Sequence, residues 1–213
     1  MQLIIDLGNT QIKYFVFDKE IDIKEISCPI EDWNANLTKL KMDYPAIGQC
    51  IISDVNGAIT KELHQALAPV PIILCSSALR LPFQTRYDPS HQLGADRVAL
   101  LAACALEYPS QNVLVIDLGS CITYDILDQE GIHHGGSISP GFRMRYKAMH
   151  TFSGLLPNLE PKGTTQFIGT NTESAMHCGV SQGIVSDINT VISNYEAKFD
   201  FLTVILTGGD VEM

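Results

Sequence analysis

Two short stretches decide the architecture: Asp6-Leu7-Gly8-Asn9-Thr10 near the start and Asp117-Leu118-Gly119-Ser120-Cys121 near the middle. Each follows an apolar run, Met1 to Ile5 in one case and Asn112 to Ile116 in the other. Each precedes a second β-rich run, Ile12 to Phe17 and Ile122 to Leu127. Runs of this length and composition read as strands, and a Gly-containing turn between them reads as a hairpin. Third strands are expected at Ile21 to Ile26 and at Ile132 to Ile138.

The halves continue alike. Trp33, Leu37 and Leu40 give residues 31–43 a helical stripe, and Ile59, Leu63 and Leu67 do the same for 58–68. Between them Ala46 to Ile52 reads as a strand ending in Ser53-Asp54-Val55-Asn56-Gly57, and Val70 to Leu74 as another. Residues 80–92 read as irregular. A helix is expected over 94–107, with Val98, Leu101 and Ala105 on one face and Tyr108-Pro109-Ser110 as its stop. In the second half a long helix is expected over 171–198, opened by a capping box of Thr170 and Glu173. A last strand, Phe201 to Leu206, runs into Thr207-Gly208-Gly209-Asp210. The repeated order predicts a duplicated α/β unit, residues 1–110 and 111–213.

Composition narrows the partners. The 213 residues carry a net charge of −10, so no broad basic face for nucleic acid or an anionic membrane is expected. The longest apolar run, Val98 to Leu106, is far shorter than the ~20 residues that span a bilayer. No secretory leader is visible, and the six cysteines contain no C-x-x-C pair. A cytoplasmic protein with buried free thiols is the expectation. His133 and His134, without ligand-like neighbours in sequence, read as core or surface residues, and Met144, Met149 and Met176 as packing.

Neither G-x-x-x-x-G-K-[ST] nor G-x-G-x-x-G occurs. What remains is the pair of Asp-x-Gly turns. Backbone N–H groups and hydroxyls in such turns can hold phosphate oxygens, and the aspartate can hold a cation beside them. Lys13 offers a compact positive charge to the same phosphates.

Taken together, the motifs resemble the type III pantothenate kinases of the acetate and sugar kinase/Hsp70/actin superfamily. Asp6-Leu7-Gly8-Asn9-Thr10-Gln11-Ile12-Lys13 is similar to the family's D-x-G-N-T-x-x-K. Gly94-Ala95-Asp96-Arg97 matches G-x-D-R, and Asp117 to Asp125 resembles D-x-G-T-A-x-T-x-D, with Ser120-Cys121 in place of Thr-Ala. Gly135 to Gly141 matches G-G-x-I-x-P-G; Thr151, Leu155-Leu156-Pro157, Gly169 to Thr172 and the late glycine turn follow in the family's order.

The resemblance implies two RNase H-like (actin-like ATPase) halves with mixed sheets and a cleft between them. It implies ATP-dependent phosphorylation of the primary hydroxyl of pantothenate. Asp96 would be the general base; Tyr87, Gly94, Ala95, Asp96 and Arg97 would bind substrate, joined by Thr172 from the second subunit of a homodimer. Asp6, Gly8, Asn9, Thr10, Lys13 and Ser120 would bind ATP, with Asp6 organising Mg²⁺ and Asp117 holding a monovalent cation, K⁺ or NH₄⁺. Family members usually continue past the glycine turn into a helix and strand covering the adenine side, so the resemblance implies either a second half truncated at Met213 or a short member of the family. Two other readings share these residues: a nucleotide-binding accessory regulator without kinase activity, and a kinase for another small alcohol.

Overall fold

A computed structural model describes residues 1–55, 57 and 59–213. Asn56 of the expected turn and Ala58 of the expected 58–68 helix lie outside the described residues. The chain divides into two compact units. One comprises Met1–Leu81 and Asp88–Leu100, the other Pro82–Tyr87 and Leu101–Met213.

In the first unit, β1 (Gln2–Leu7), β2 (Gln11–Asp18) and β3 (Ile21–Pro29) form an antiparallel meander. A short 3₁₀ turn, Ile30–Asp32, leads into α1 (Trp33–Asp43). Then follow β4 (Gln49–Asp54), α2 (Thr60–Leu67) and β5 (Ile72–Leu74). The sheet order is β3-β2-β1-β4-β5, with β4 parallel to both β1 and β5. Strict alternation puts Leu3, Ile5 and Leu7 of β1 on the buried face, with Ile12, Tyr14 and Val16 of β2. Leu37 and Leu40 of α1 and Leu63 and Leu67 of α2 close over them, as the helical stripes require. Each such burial is worth roughly 1.5–3 kcal/mol relative to exposure.

The second unit opens with β6 (Gln84–Thr85), two residues inside the stretch expected to be irregular. Helix α3 (Ala95–Glu107) follows, and the boundary between the units falls within it. β7 (Val113–Leu118), β8 (Cys121–Leu127) and β9 (Ile132–Pro140) make a second meander. Next come α4 (Phe142–Phe152), α5 (Thr172–Glu196) and β10 (Thr203–Thr207). The order β10-β7-β8-β9-β6 repeats β4-β1-β2-β3 in its first four strands, down to β10 lying parallel to β7 as β4 does to β1. This is the duplicated α/β, RNase H-like architecture expected from the two Asp-x-Gly turns. The hairpins differ by one residue: Gly8 N–H donates to Gln11 O, whereas Gly119 N–H donates to Cys121 O, both at 3.0 Å.

Two features depart from expectation. Helix α4 was not foreseen, although Phe142, Tyr146 and Met149 recur at helical spacing and pack into the second core with Met176, Val180 and Ile184 of α5. The capping box of α5 sits one residue later than Thr170 and Glu173: Asn171 Oδ1 accepts the Ser174 N–H at 2.8 Å, and Ser174 Oγ accepts the Asn171 N–H at 3.1 Å. Asn is as good an N-cap as Thr or better, and Ser174 returns the reciprocal bond, so the helix starts one residue later. All six cysteines are free thiols, four of them buried. Among the described residues no helix is long and apolar enough to cross a membrane.

The cap makes a test. Asn171→Ala is expected to cost about 1 kcal/mol in urea unfolding, and Thr170→Ala less than about 0.5 kcal/mol. The reverse order would place the cap where the sequence pattern first put it.

Candidate active site

The first unit gathers Asp6, Lys13 and Asp96. Asp6 stands at the end of β1, directly opposite Lys13 on β2 and Ser53 on β4. Such neighbours share one face of the sheet. Burial pushes the Asp6 carboxyl above the ordinary range; the Lys13 ammonium and the Ser53 hydroxyl pull it down, and the nearby Asp96 carboxylate pushes it up again. Burial and like charge prevail. Gly8 is half-buried, whereas Asn9 and Thr10 are exposed at the tip of the hairpin.

Asp96 is the second residue of α3. Its Oδ1 accepts the Arg97 N–H at 2.8 Å, one of the donors left over in a first helical turn. A Cβ at position 94 would stand 2.5 Å from that Oδ1, so Gly94 leaves the carboxylate its place. Ala95 is buried, and its carbonyl accepts the Cys75 thiol at 3.4 Å. Cys75 therefore sits beside both carboxylates; burial, then Asp96, then Asp6 raise its pKa, which keeps it a neutral thiol. Arg97, only 4% exposed, is a buried guanidinium in the same first turn and not the solvated charge its type would suggest.

The second unit holds Asp117 and Ser120. Asp117 is the penultimate residue of β7, opposite Thr123 on β8 and Thr207 on β10. The late glycine turn presses on it. Gly208 has φ +104°, and a Cβ there would collide with Asp117 Oδ1 and Leu118 O. The Asp210 N–H in turn donates to Leu118 O at 3.0 Å. From the other side, Gly141 at the mouth of α4 donates its N–H to Ser120 O at 3.2 Å, and a Cβ there would strike Gly119 O. Backbone thus packs on backbone around the Gly119–Ser120 turn, and the Ser120 side chain stays exposed.

Tyr87 belongs to the second unit and is half-buried, its ring stacked on His133. Thr172 is the exposed first residue of α5. His133 is indeed a core residue, with no exposure, yet it has two side-chain partners, Asp125 and Thr85. Sequence reading missed them, because Thr85 lies 48 residues away on a strand of two residues.

The donor sets suit the implied ions. Among the described residues no three His, Cys, Asp or Glu side chains form a ready cage for a metal. Mg²⁺ is commonly held by one or two carboxylates together with substrate phosphates. Asp6 is a carboxylate of that kind: half-buried, faced by Lys13 and beside the hairpin that carries Gly8. Asp117, with Leu118 O against the same glycine turn, offers the oxygen donors that a monovalent cation takes.

The sequence profile of the type III pantothenate kinase family matches residues 2–194. A type III pantothenate kinase of Christiangramia forsetii is 39% identical over 214 residues, covering 100% of this chain and 88% of that protein. Among solved structures, a Baf family protein from Campylobacter jejuni has a TM-score of 0.59 at 24% identity, covering 95% of this chain and 90% of its own. A protein from Sinorhizobium meliloti described as a 2-dehydro-3-deoxygalactonokinase has a TM-score of 0.57 at 10% identity, covering 99% and 92%. These two likenesses concern the fold.

The raised Asp6 pKa has a consequence for stability. Its folded value lies above its unfolded value, so the folded chain disfavours the carboxylate at neutral pH. Asp6→Asn is expected to raise the melting temperature of the ligand-free protein at pH 7. The gain shrinks as pH falls below the ordinary carboxylate range, where the wild-type group is neutral in both states. A lower melting temperature at pH 7 would mean that the Lys13 attraction outweighs burial.

Proposed function

The chain belongs to the type III pantothenate kinase family, and on that footing we propose that it transfers the γ-phosphoryl group of ATP to the primary hydroxyl of pantothenate. The products are 4'-phosphopantothenate and ADP, and the reaction opens the route to coenzyme A. The observation that carries the reading is the gathering of Asp6, Lys13 and Asp96 around the end of β1, one carboxylate on the phosphate hairpin and the other on a helix N-terminus.

Asp96 has the role of general base. It takes the proton of the substrate hydroxyl while that oxygen bonds to the γ-phosphorus and the bond to the ADP oxygen breaks. The transition state of phosphoryl transfer is loose, so the base chiefly orients the hydroxyl for in-line attack. The Arg97 N–H bond to Oδ1 holds the carboxylate in one rotamer. Such preorganisation is a large part of what an enzyme can contribute.

Gly94, Ala95, Arg97 and Tyr87 complete the pantothenate contacts in this reading, Arg97 meeting the polar or anionic end. Thr172 is assigned to the site of a partner subunit in a homodimer. Gly8, Asn9, Thr10, Lys13 and Ser120 hold the phosphates through N–H groups, hydroxyls and one ammonium. Asp6 is assigned to Mg²⁺, which neutralises charge on the phosphates, and Asp117 to K⁺ or NH₄⁺.

The test is ADP release measured with and without pantothenate. Pantothenate-dependent release is expected, and release indifferent to pantothenate would contradict the reading. Asp96→Asn should lower kcat by roughly 10²–10⁴-fold and leave the KM for ATP within about twofold. Exchanging K⁺ for Na⁺ should slow the wild type, and Asp117→Asn should erase that difference. An Asp117→Asn enzyme that still distinguishes the two ions would remove the cation from Asp117.

A further inference from the structure

Residues 82–87 belong to the second unit although the chain on either side, Met1–Leu81 and Asp88–Leu100, belongs to the first. Something must hold this six-residue excursion in place. Its strand β6 has two residues, paired in parallel with Ile132 and His133 of β9. Two flanking backbone bonds accompany the pairing, Gln84 N–H to Gly131 O and Arg86 N–H to His133 O, both 2.9 Å. So short a ladder is a weak anchor.

Arg86 Nη1 also reaches His134 Nδ1 at 3.3 Å, and the most buried part of the anchor is the His133 side chain. It is fully buried, with Nε2 2.8 Å from Asp125 Oδ1, and Asp125 is 1% exposed. Its Nδ1 lies 2.8 Å from Thr85 Oγ1, and the same oxygen accepts the Tyr87 N–H at 3.0 Å. With the Asp125 carboxylate accepting Nε2–H, Nδ1 is the acceptor left for the Thr85 hydroxyl. Every bond then runs one way: Tyr87 N–H to Thr85 Oγ, Thr85 O–H to Nδ1, Nε2–H to Asp125. The Tyr87 ring stacks on the imidazole at 6.2 Å and 11°, and Phe83 meets it edge-on at 6.3 Å and 88°. Three of the six residues in the excursion address one imidazole.

We propose that Asp125, His133 and Thr85 form a relay of positioning residues that fixes both the backbone and the ring of Tyr87 and so sets the affinity for pantothenate. The proposal rests on the reading of Tyr87 as a pantothenate contact. A core histidine needs only to have its two nitrogens satisfied. This one spends both on the segment that ends in Tyr87 and on a buried carboxylate that orients the ring, as second partners orient a functional imidazole elsewhere. Loosening a substrate contact raises KM for that substrate and leaves the other substrate alone.

Thr85→Val removes the bridging hydroxyl and keeps the side-chain shape. Its expected effect is a rise of roughly 5–10-fold in the KM for pantothenate, with the KM for ATP within about twofold. Thr85→Ser, which keeps the hydroxyl, should restore the wild-type value. In a Tyr87→Ala background Thr85→Val should add nothing, because the group it positions is gone. His133→Gln, checked for folding by thermal melting, supplies a second route to the same loss. An unchanged pantothenate KM in Thr85→Val, an equal rise in the KM for ATP, or full additivity with Tyr87→Ala would each overturn the relay. If Tyr87→Ala alone leaves the KM for pantothenate unchanged, the assignment of Tyr87 falls and the relay falls with it. If Tyr87→Ala raises that KM and Thr85→Val does not, only the relay falls.

Discussion

The first unit is organised around a carboxylate that its own fold makes uncomfortable. Asp6 cannot leave the end of β1, because Leu3, Ile5 and Leu7 commit the alternate positions of that strand to the core. Pairing with β2 and β4 puts Lys13 and Ser53 beside it, and the first turn of α3 adds a second carboxylate, Asp96. One ammonium does not offset burial and a like charge together. The raised pKa makes the ionised carboxylate a cost to the ligand-free fold, and in the proposed reading a cation that accompanies nucleotide phosphates offsets it. The thiol of Cys75, held neutral by burial first and then by the same two carboxylates, sits beside them without adding charge.

The second unit repeats the strand order but not the chemistry. Its counterpart of Asp6 is Asp117, and where Asp6 faces Lys13 across the hairpin, Asp117 faces Thr123. The hairpin is one residue shorter, and glycines at 141 and 208 bring backbone onto the turn from two sides. Oxygen therefore replaces the ammonium around the second carboxylate. A duplicated fold thus offers two carboxylates near strand ends, which the proposed reading assigns to a phosphate-bound divalent ion and to a monovalent ion.

How much of this could be read from the chain depends on distance along it. The two halves are legible because each repeats Asp-Leu-Gly after an apolar strand; periodicity marks α1, α2 and α3 within a few residues, and a capping-box spacing marks the start of α5. Asp96 and Gly94 were legible as a local motif whose members touch within one helical turn. Helix α4 left its signal in Phe142, Tyr146 and Met149 and was passed over because its charged residues, Arg143, Arg145 and Lys147, obscure the stripe. The cap of α5 slid by one residue because Asn171 with Ser174 competes with Thr170 and Glu173 for the same task. The relay on His133 was beyond reach: β6 is two residues long, and its partner strand lies 48 residues further on. Burial of Arg97 was equally hidden, since nothing local to the sequence tells a buried guanidinium from a solvated one.

In the proposed reading, the burial and like-charged neighbour of Asp6 are offset when a divalent ion arrives with the nucleotide. The most direct measurement is ATP affinity by titration calorimetry, with and without Mg²⁺, in the wild type and in Asp6→Asn. Mg²⁺ is predicted to strengthen ATP binding to the wild type and to have little effect on the variant. Equal dependence on Mg²⁺ in the two proteins would contradict the account and leave Asp6 a residue of the fold alone.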